Sequence, residues 1–406
     1  MKIVIDARMY GLEHAGIGRY ISNLVREISN YSRDAGSRSA GQFPISNFQF
    51  IILVRKKKFA EIKKEVGQGF KLVITDYPHY SLQEQIFLPL KLLKIKPDLV
   101  HFPHFNVPIF WWGKQVVTIH DLIKHESKGP QTTTRWRPLY WFKYLNYRFL
   151  VWLVVKRAIK VIVPSHYWKK ELVHRFKLKP EKIVVTYEGA DSKFQISNDK
   201  FQMTNRILKQ DKITKPFIIY TGSLYPHKNV ERLVEAVKLI NQFPIPNYQF
   251  PITLIIVCSR NVFYQRFKKK VKEMEAEKLV NLVGFVPDEE LVSLYQEAEA
   301  FVFPSLLEGF GLPGLEAMAV GLPVISSHAS CLPEIYGDAA EYFNPYDVDD
   351  MAEKIKRVIG DTRRRETLRE KGFKQVEKYS WQKMVTQTIM VYREATSSAY
   401  QDAIEK

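Results

Sequence analysis

Cysteine and metal-ligand clusters are scarce in this chain of 406 residues. Its two cysteines, Cys258 and Cys331, lie far apart, and no group of histidine, cysteine and acidic residues has the spacing of a metal site. These absences argue against a disulfide framework and a structural zinc module, and they fit a reduced, cytosolic compartment. We expect neither a metal nor another cofactor.

Long hydrophobic runs are also missing. The most apolar stretch, FLVWLVV at residues 149–155, is far shorter than the roughly 20 residues that span a bilayer. The opening MKIVIDAR predicts a first strand rather than a signal peptide. We therefore expect a cytoplasmic protein without a membrane-spanning helix.

Acidic residues are few in the first half of the chain. Residues 1–195 hold 33 lysines and arginines against 15 aspartates and glutamates, whereas residues 196–406 hold 28 of each kind. The whole net charge of +18 therefore belongs to the first half. This asymmetry predicts two domains with different partners, the first of which faces something anionic.

Short apolar runs alternate with amphipathic segments. Several runs are apolar at nearly every position, which is typical of strands buried on both faces of a parallel sheet. The predicted strands are residues 2–6, 48–54, 72–76, 98–102, 115–121 and 160–165 in the first half, and 217–223, 252–259, 280–286, 300–305 and 322–327 in the second. Helical patterns between them indicate doubly wound α/β domains.

A polar stretch at residues 196–215 separates the two series of strands and is the predicted linker. We expect an N-terminal domain over residues 1–197, a C-terminal domain over residues 198–380, and a final helical segment over residues 381–406. Ligands of such sheets bind outside the carboxyl ends of the strands, so a site is expected at the crevice between the domains.

The segment SLLEGFGLPGLEAMAVGLPVI, residues 305–325, places two glutamates around a glycine-rich turn. Pro313 suits the first turn of a helix and Gly321 suits its end, which puts Glu308 on a loop and Glu316 in the first helical turn. The helix N-terminus and its glycines favour a close anion, and carboxylates accept hydrogen bonds from vicinal hydroxyls. A diphosphate seat between two diol acceptors describes a nucleotide sugar.

The two glutamates alone would not carry this assignment, because capping or solvated glutamates at the start of a helix are common. The same holds for Gly16 and Gly18 of AGIGRY, which we place in a loop, since a lone G-x-G is more often a tight turn. His120, at the end of the run VVTIH, would more often be structural.

The complete segment at residues 305–325 resembles the signature of retaining, nucleotide-sugar-dependent glycosyltransferases of the GT-B fold, the group 1 family (glycosyltransferase family 4). The resemblance extends over nearly the whole chain, through residues 6–24, 117–122, 161–191, 220–236 and 282–305. It implies two Rossmann-like domains that face each other across a crevice, with the last helix crossing back to the first domain. It also implies that the N-terminal domain, residues 1–197, binds the acceptor and that the C-terminal domain, residues 198–380, binds the nucleotide sugar.

The resemblance also implies roles for individual residues. The catalytic residues expected are His120, close to the transferred sugar, Lys228, which stabilises the leaving diphosphate, and Glu308, on the donor sugar. Donor contacts are expected from Lys228, Glu308 and a further set, namely Gly16, Gly18, Ser223, His227, Phe310, Gly311, Leu312 and Glu316. Relatives commonly carry an arginine at the position of His227 or Ser223, and this sequence departs from that pattern.

Polar residues at two further helix starts are expected to act as caps. Asn229 precedes the helical pattern VERLVEA, and Asp347 and Asp349 precede MAEKIKRVI. The D-x-D formed by this aspartate pair is therefore assigned to capping rather than to a metal.

The sequence predicts a retaining, metal-independent hexosyltransferase. The segments DARMYG and VPSHYWKKEL look most like mannosyltransferase members, so GDP-mannose is the first donor expected, with a glycan or lipid-linked acceptor. The alternatives are a transferase that uses UDP-glucose or UDP-N-acetylglucosamine, a nucleotide-sugar epimerase of similar fold, and a non-enzymatic basic protein that binds anionic ligands.

The basic first half, residues 1–195, predicts peripheral association with the inner face of the plasma membrane and no nucleic-acid partner. Residues 135–160 mix aromatic and basic residues at helical spacing, which fits an interfacial helix and, equally, an ordinary helix with a core face and a solvated face. The contacts expected are Arg55, Lys56, Lys57 and Lys58 with anionic lipid, and Trp136, Trp141 and Tyr144 as interfacial anchors.

Overall fold

The computed structural model describes residues 1–11, 13, 15–33, 47–67, 69–126, 137–191, 194, 213–242, 248 and 251–397. The chain forms two compact units: residues 1–122, 135–188 and 381–406 belong to the first, and residues 123–134 and 189–380 to the second. The predicted boundary between residues 197 and 198 lies outside the described residues, as do residues 196–212 of the predicted linker.

Seven parallel strands form the sheet of the first unit, in the order β3-β2-β1-β4-β5-β6-β7. The central strands are buried at nearly every position, as their apolar sequences require. The strands are β1 (Lys2–Asp6), β2 (Gln49–Val54), β3 (Phe70–Ile74), β4 (Leu99–Phe102), β5 (Gln115–Thr118), β6 (Lys160–Val163) and β7 (Ile183–Val185). The helices of this unit are α1 (Ala15–Arg33), α2 (Phe59–Glu65), α3 (Leu82–Ile95), α5 (Arg137–Arg157), α6 (His166–Phe176) and α14 (Trp381–Thr396).

Six parallel strands form the sheet of the second unit, in the order β10-β9-β8-β11-β12-β13. The strands are β8 (Phe217–Thr221), β9 (Thr253–Val257), β10 (Val280–Gly284), β11 (Ala300–Phe303), β12 (Val324–Ser327) and β13 (Ala340–Phe343). The helices are α4 (Ile123–Glu126), α7 (Val230–Ile240), α8 (Val262–Glu273), α9 (Asp288–Glu297), α10 (Leu312–Ala319), α11 (Leu332–Tyr336), α12 (Val348–Gly360) and α13 (Thr362–Val376).

The strand order reverses once in each sheet. In the first unit β1 lies between β2 and β4, and in the second unit β8 lies between β9 and β11. Loops that leave the carboxyl ends of such neighbouring strands run to opposite faces, and ligands of doubly wound sheets bind at this switch point. In each unit a site is therefore expected at the carboxyl ends of the strands on either side of this reversal.

The final helix, α14, packs in the first unit although it follows the last strand of the second. It lies against α1. Its Tyr392 hydroxyl is 2.6 Å from Nδ1 of the buried His101, and the ring of Trp381 lies edge-on to Tyr20 at 6.3 Å. Buried apolar residues along one face hold the helix in place.

Two helices of the first unit expose an apolar face. The residues concerned are Leu82, Ile86, Leu90 and Leu93 on α3, and Phe142, Leu145, Phe149 and Trp152 on α5. Their spacing of three and four residues places each set along one side of its helix. Trp141 is also exposed, whereas the expectation for Tyr144 was wrong, because its ring is buried. Trp136 lies outside the described residues.

The predicted anionic-lipid contacts at residues 55–58 are largely neutralised by nearby carboxylates. Three of the four cations form ion pairs, namely Arg55 with Asp76, Lys57 with Glu13, and Lys58 with Glu61. Surface pairs of this kind contribute little to stability, but they reduce the net charge that this run presents. No described helix has the length and apolarity to cross a membrane.

Candidate active site

The switch point of the second unit brings Lys228 and Glu308 together. Lys228 ends the short 3-10 turn Pro226–Lys228, which follows β8, and Glu308 lies on the loop after β11. Lys228 Nζ donates hydrogen bonds to both carboxylate oxygens of Glu308, at 2.7 and 2.8 Å. The two side chains are only 16% and 8% exposed, so little water screens the pair.

Hydrogen bonds to the turn after β12 hold the loop that carries Glu308 in place. The Glu308 backbone N–H donates to Ser330 Oγ at 3.1 Å, and Cys331 Sγ lies 3.3 to 3.5 Å from the carbonyl oxygens of Glu308, Gly309 and Phe310. Burial raises the pKa of the Cys331 thiol well above its ordinary value, so it stays a hydrogen-bond donor. This support was not predictable from the sequence, because a lone serine and a lone cysteine match no motif.

Helix α10 begins beside this loop, at Leu312. Gly311 is the N-cap residue with a φ of 104°, and Pro313 lies in the first turn as predicted. Glu316, by contrast, is in the second turn and not the first, because the helix starts earlier than its proline alone indicates. Its side chain is 3% exposed, so it is a buried carboxylate near the start of a helix.

Two glycines of the segment are required by a tyrosine rather than by a ligand. Tyr336 donates from its hydroxyl to the Gly311 carbonyl at 2.6 Å. A Cβ at Gly311 would lie 2.6 Å from that hydroxyl oxygen, and one at Gly314 would lie 2.3 Å from it. Any side chain at either position would therefore displace Tyr336, which accounts for both glycines without an anion.

The side chains of Phe310 and Leu312 belong to the core of the second unit, since both are buried. The ring of Phe310 lies edge-on to that of Tyr379 at 5.6 Å. Their backbone groups are therefore what these two positions offer to a donor, while their side chains anchor the loop.

The loop after β8 carries the remaining predicted donor contacts. The Ser223 carbonyl accepts a hydrogen bond from the Tyr220 hydroxyl at 2.8 Å, and the His227 carbonyl accepts one from the Leu306 N–H at 2.8 Å. Burial and the neighbouring charge of Lys228 lower the pKa of His227 to about 4. His227 is therefore neutral at physiological pH and does not supply the second cation that the resemblance led us to expect near Lys228.

The expected caps differ from each other. Asn229 occupies the N-cap position of α7, but with a φ of 59° its side chain makes no cap and instead donates to the carbonyls of Pro304 and Pro345. That cap prediction was wrong, because the amide ties two neighbouring loops together. Asp347 does cap α12, since it accepts hydrogen bonds from the Asp349 and Asp350 N–H groups.

In the first unit, Gly16 and Gly18 lie within the first turn of α1, which begins at Ala15. The prediction of a loop was wrong at these positions, because the helix starts before the glycines. Gly16 is exposed, and no heavy atom lies within 4 Å of the position that a Cβ would occupy. The backbone is therefore open to solvent at Gly16, whereas Gly18 is buried.

His120 lies just beyond the carboxyl end of β5 and is held at both ring nitrogens. Nδ1 is 3.2 Å from Glu188 Oε1, and Nε2 is 3.0 Å from the Pro103 carbonyl oxygen. Burial alone would lower the pKa of His120, but the hydrogen bond and charge of Glu188 outweigh burial and raise it. Because both nitrogens face acceptors, the geometry favours the doubly protonated imidazolium.

Among the residues that the structure describes, no group of three or more histidine, cysteine, aspartate or glutamate side chains is arranged to hold a metal ion. Lys228 provides an ammonium group at the switch point of the second unit, and such a group can donate three hydrogen bonds and accepts none.

Two doubly wound parallel-sheet domains, one with a lysine–glutamate pair at its switch point, define a glycosyltransferase of the GT-B fold. The chain matches the family models "Glycosyl transferases group 1" over residues 204–375 and "Glycosyltransferase Family 4" over residues 49–194. It belongs to this family of group 1 glycosyltransferases, which confirms the fold and enzyme class predicted from the sequence.

Known proteins similar to this chain agree with that placement. The O-antigen chain mannosyltransferase B of Escherichia coli is 29% identical over 403 residues, 97% of this chain and 100% of that protein. Among solved structures, sucrose-phosphate synthase from Thermosynechococcus elongatus has a TM-score of 0.70 at 20% identity, with 97% and 98% of the two chains covered. Anabaena HepE, in complex with UDP and glucose, has a TM-score of 0.70 at 17% identity, with 97% and 100% covered.

Proposed function

We propose that this glycosyltransferase moves mannose from GDP-mannose to a glycan or lipid-linked acceptor, with retention of the anomeric configuration. The observation that carries the proposal is the shielded Lys228–Glu308 pair at the switch point of the second unit. The choice of mannose is supported by the similarity to O-antigen chain mannosyltransferase B, which extends over nearly the full length of both chains.

Different parts of the donor are bound by different groups of the second unit in this proposal. Glu308 takes hydroxyls of the donor sugar, and Glu316 takes the ribose hydroxyls, because a carboxylate accepts several hydrogen bonds. Lys228 and the N-terminal turn of α10 face the diphosphate, since both present positive charge and N–H donors. The loop contacts of Cys331 and Ser330 fix Glu308 before the donor binds, which reduces the ordering cost of binding.

The chemical step needs stabilisation of the leaving group more than a nucleophile. The bond between the sugar C1 and the diphosphate oxygen breaks, and the electron pair leaves with the diphosphate. The acceptor hydroxyl oxygen forms its bond to C1 from the same face and passes its proton to the departing phosphate oxygen. Lys228 stabilises the negative charge that grows on the diphosphate, where a fixed cation lowers the barrier.

His120 contacts the transferred sugar in this proposal and is not a general base. An imidazolium held by Glu188 and the Pro103 carbonyl has no lone pair with which to accept a proton. Both of its N–H groups are already taken by these two acceptors, so its contribution at the sugar is positive charge. A retaining reaction of the kind described above needs no separate base for the acceptor.

A thermal-shift panel tests the donor. A ligand that binds only the folded protein raises stability by about 2.7 kcal/mol at a hundred times its dissociation constant. GDP-mannose should raise the unfolding temperature more than UDP-glucose, UDP-N-acetylglucosamine or ADP-glucose, and Glu316→Ala should reduce the shift. A larger increase in unfolding temperature with a UDP-sugar would identify that UDP-sugar, rather than GDP-mannose, as the donor. Conversion of the donor to an epimer without transfer would show that the protein is an epimerase and not a transferase.

We also propose that the enzyme works in the cytoplasm, docked on the anionic inner face of the plasma membrane. The apolar faces of α3 and α5 support this, as does the net charge of residues 1–195. The contact surface consists of these two helix faces rather than the run at residues 55–58, whose cations are mostly paired.

A further inference from the structure

The first unit has a small polar cavity at its own switch point. The cavity lies beyond the carboxyl ends of β1 and β4, and it has a volume of about 10 Å³, the space for one water-sized group. Its polar lining comes from Asp6, Arg8, His79, His104 and Asn106, which follow three different segments of the chain. This position corresponds to where doubly wound sheets bind ligands.

Arg8 lines this cavity and has an unused donor. Its Nε and Nη2 donate to the two oxygens of Asp6 at 2.7 Å each, and Nη2 also donates to Glu84 Oε1 at 2.7 Å. Among the described residues, Arg8 Nη1 has no hydrogen-bond partner, although the side chain is only 1% exposed. A buried donor without a partner is costly, so it signals a group that is still to be supplied.

Asn106 lines the same cavity and has an unused acceptor. Its Nδ2 donates to both oxygens of Glu84 at 2.9 Å, and this fixes the amide, since the opposite orientation would set Oδ1 against a carboxylate. Within the described part of the chain, Asn106 Oδ1 is buried and has no partner. Two residues that line a cavity with room for a single polar group thus carry one unused donor and one unused acceptor.

We propose that Arg8 Nη1 and Asn106 Oδ1 form a subsite for one hydroxyl group of the acceptor sugar, an inference that rests on the proposed transferase function. A hydroxyl both donates and accepts, so it satisfies the two atoms together. An anionic group such as phosphate is disfavoured, because the carboxylates of Asp6 and Glu84 already outnumber the guanidinium of Arg8.

Tyr80 provides a second observation beside this cavity. Its backbone N–H donates to Glu84 Oε2 at 2.7 Å, and this bond accompanies a left-handed backbone with a φ of 61°, rare for a tyrosine. The side chain is 57% exposed, and its ring lies 6.3 Å from the rings of His104 and Phe105. Glu84 therefore fixes both the hydroxyl subsite and an exposed aromatic ring, a surface suited to the apolar face of a pyranose.

The test uses the full chain, methyl α-D-mannopyranoside and its monodeoxy derivatives. In crystals soaked with the parent glycoside, one hydroxyl oxygen should lie within hydrogen-bond distance of Arg8 Nη1 and Asn106 Oδ1. In kinetics, one monodeoxy derivative should have a KM about tenfold or more above that of the parent. Asn106→Ala should raise the KM of the parent by a similar factor and abolish the difference between the two glycosides.

Matched variants separate this role from a structural one. Tyr80→Ala should raise the acceptor KM while Tyr80→Phe leaves it unchanged, and thermal unfolding shows which variants fold. If Asn106→Ala does not fold, Asn106→Ser takes its place. Donor binding and donor hydrolysis should be unaffected in all of them, which distinguishes this subsite from the donor site. An unchanged acceptor KM in the Asn106 variant, or a water in the cavity with no sugar hydroxyl, would overturn the proposal.

Discussion

Lys228 reaches Glu308 across 80 positions of sequence and donates to both of its carboxylate oxygens. The sequence assigned these residues to different parts of the donor, whereas the structure joins them in one shielded pair. When a diphosphate binds next to Lys228, the Lys228 ammonium contacts two anions, the diphosphate and the Glu308 carboxylate. The two residues therefore act as a unit, and their substitutions should not be additive.

Lys228→Ala should lower kcat more than it weakens binding of GDP-mannose. The negative charge on the diphosphate grows toward the transition state, and loss of one stabilising group of this kind typically costs about 10² to 10³ in kcat. The measurement is kcat together with the donor dissociation constant. The matched control is Lys354→Ala, which removes a surface ion pair with Asp350 and should leave both quantities unchanged.

The same experiment extends to a cycle with Glu308→Gln. Lys228→Ala leaves Glu308 without its cation, so the double variant should be less impaired than the product of the two single effects. Independent effects in the double variant, or a loss confined to donor affinity, would argue against the role of Lys228 at the leaving group.

Glu316→Ala should weaken donor binding by about 1.5–3 kcal/mol, the range for hydrogen bonds to a charged group. The side chain is buried at the start of α10, so the loss falls on a site that excludes water. Isothermal titration with GDP gives the affinity, and circular dichroism checks the fold. Glu353→Ala, which removes a highly exposed glutamate, is the control. An unchanged affinity for GDP in Glu316→Ala would show that Glu316 does not bind the ribose.

Activity should persist in excess EDTA. In the proposed mechanism the charge on the diphosphate is met by Lys228 and the N–H groups of α10, not by a divalent ion. The measurement is the transfer rate before and after chelation, with a magnesium-dependent kinase as the control for complete chelation. Loss of transfer that magnesium or manganese restores would require a metal in the mechanism.

The sequence predicted every strand of both sheets except one edge strand of each. Every predicted strand is present within a few residues, because continuous apolar runs are the signal of strands buried on both faces. The two strands that were missed, Ile183–Val185 and Ala340–Phe343, are each at the edge of a sheet. Both are short, so each contributes only three or four residues to an apolar run.

The candidate site was predictable where one segment carries a motif, and not where distant residues support it. Glu308 and Lys228 stand in recognisable segments, but Cys331, Tyr336 and Glu188 act through contacts that only folding creates. The start of α10 was misjudged for a related reason. Pro313 marks the first turn of a helix, yet it does not fix which residue begins it.

Glu188→Gln should lower the pKa of His120 toward or below its ordinary value of about 6.5. The raised pKa means that the pair contributes its full stability below the unfolded-state pKa and loses that contribution as pH rises through the folded-state pKa. The wild type should therefore exceed the variant in unfolding free energy by more at about pH 6 than at about pH 9.

Histidine NMR resonances measure this pKa directly and provide an internal control. His101 is buried, and burial with the nearby charge of His120 lowers its pKa to about 3, so it should not titrate in either protein. The His120 resonance should move to lower pH in Glu188→Gln. An identical His120 titration in both proteins would show that Glu188 does not hold the imidazolium.

Serine substitutions on the exposed helix faces should release the enzyme from anionic membranes. The paired changes are Leu90→Ser with Leu93→Ser on α3, and Phe142→Ser with Phe149→Ser on α5, all at exposed positions. Wild-type protein should sediment with vesicles that contain phosphatidylglycerol and not with vesicles of phosphatidylcholine alone, because each lysine or arginine near an anionic surface contributes about 1 kcal/mol. Binding should fall steeply toward 1 M salt, where the Debye length is about 3 Å.

Phe285→Ser, at an exposed apolar position of the second unit, is the control and should bind vesicles as the wild type does. Equal binding of the wild type to both kinds of vesicle, or to neither, would rule out the membrane role. The basic surface of the first unit would then be expected to bind a soluble anionic glycan.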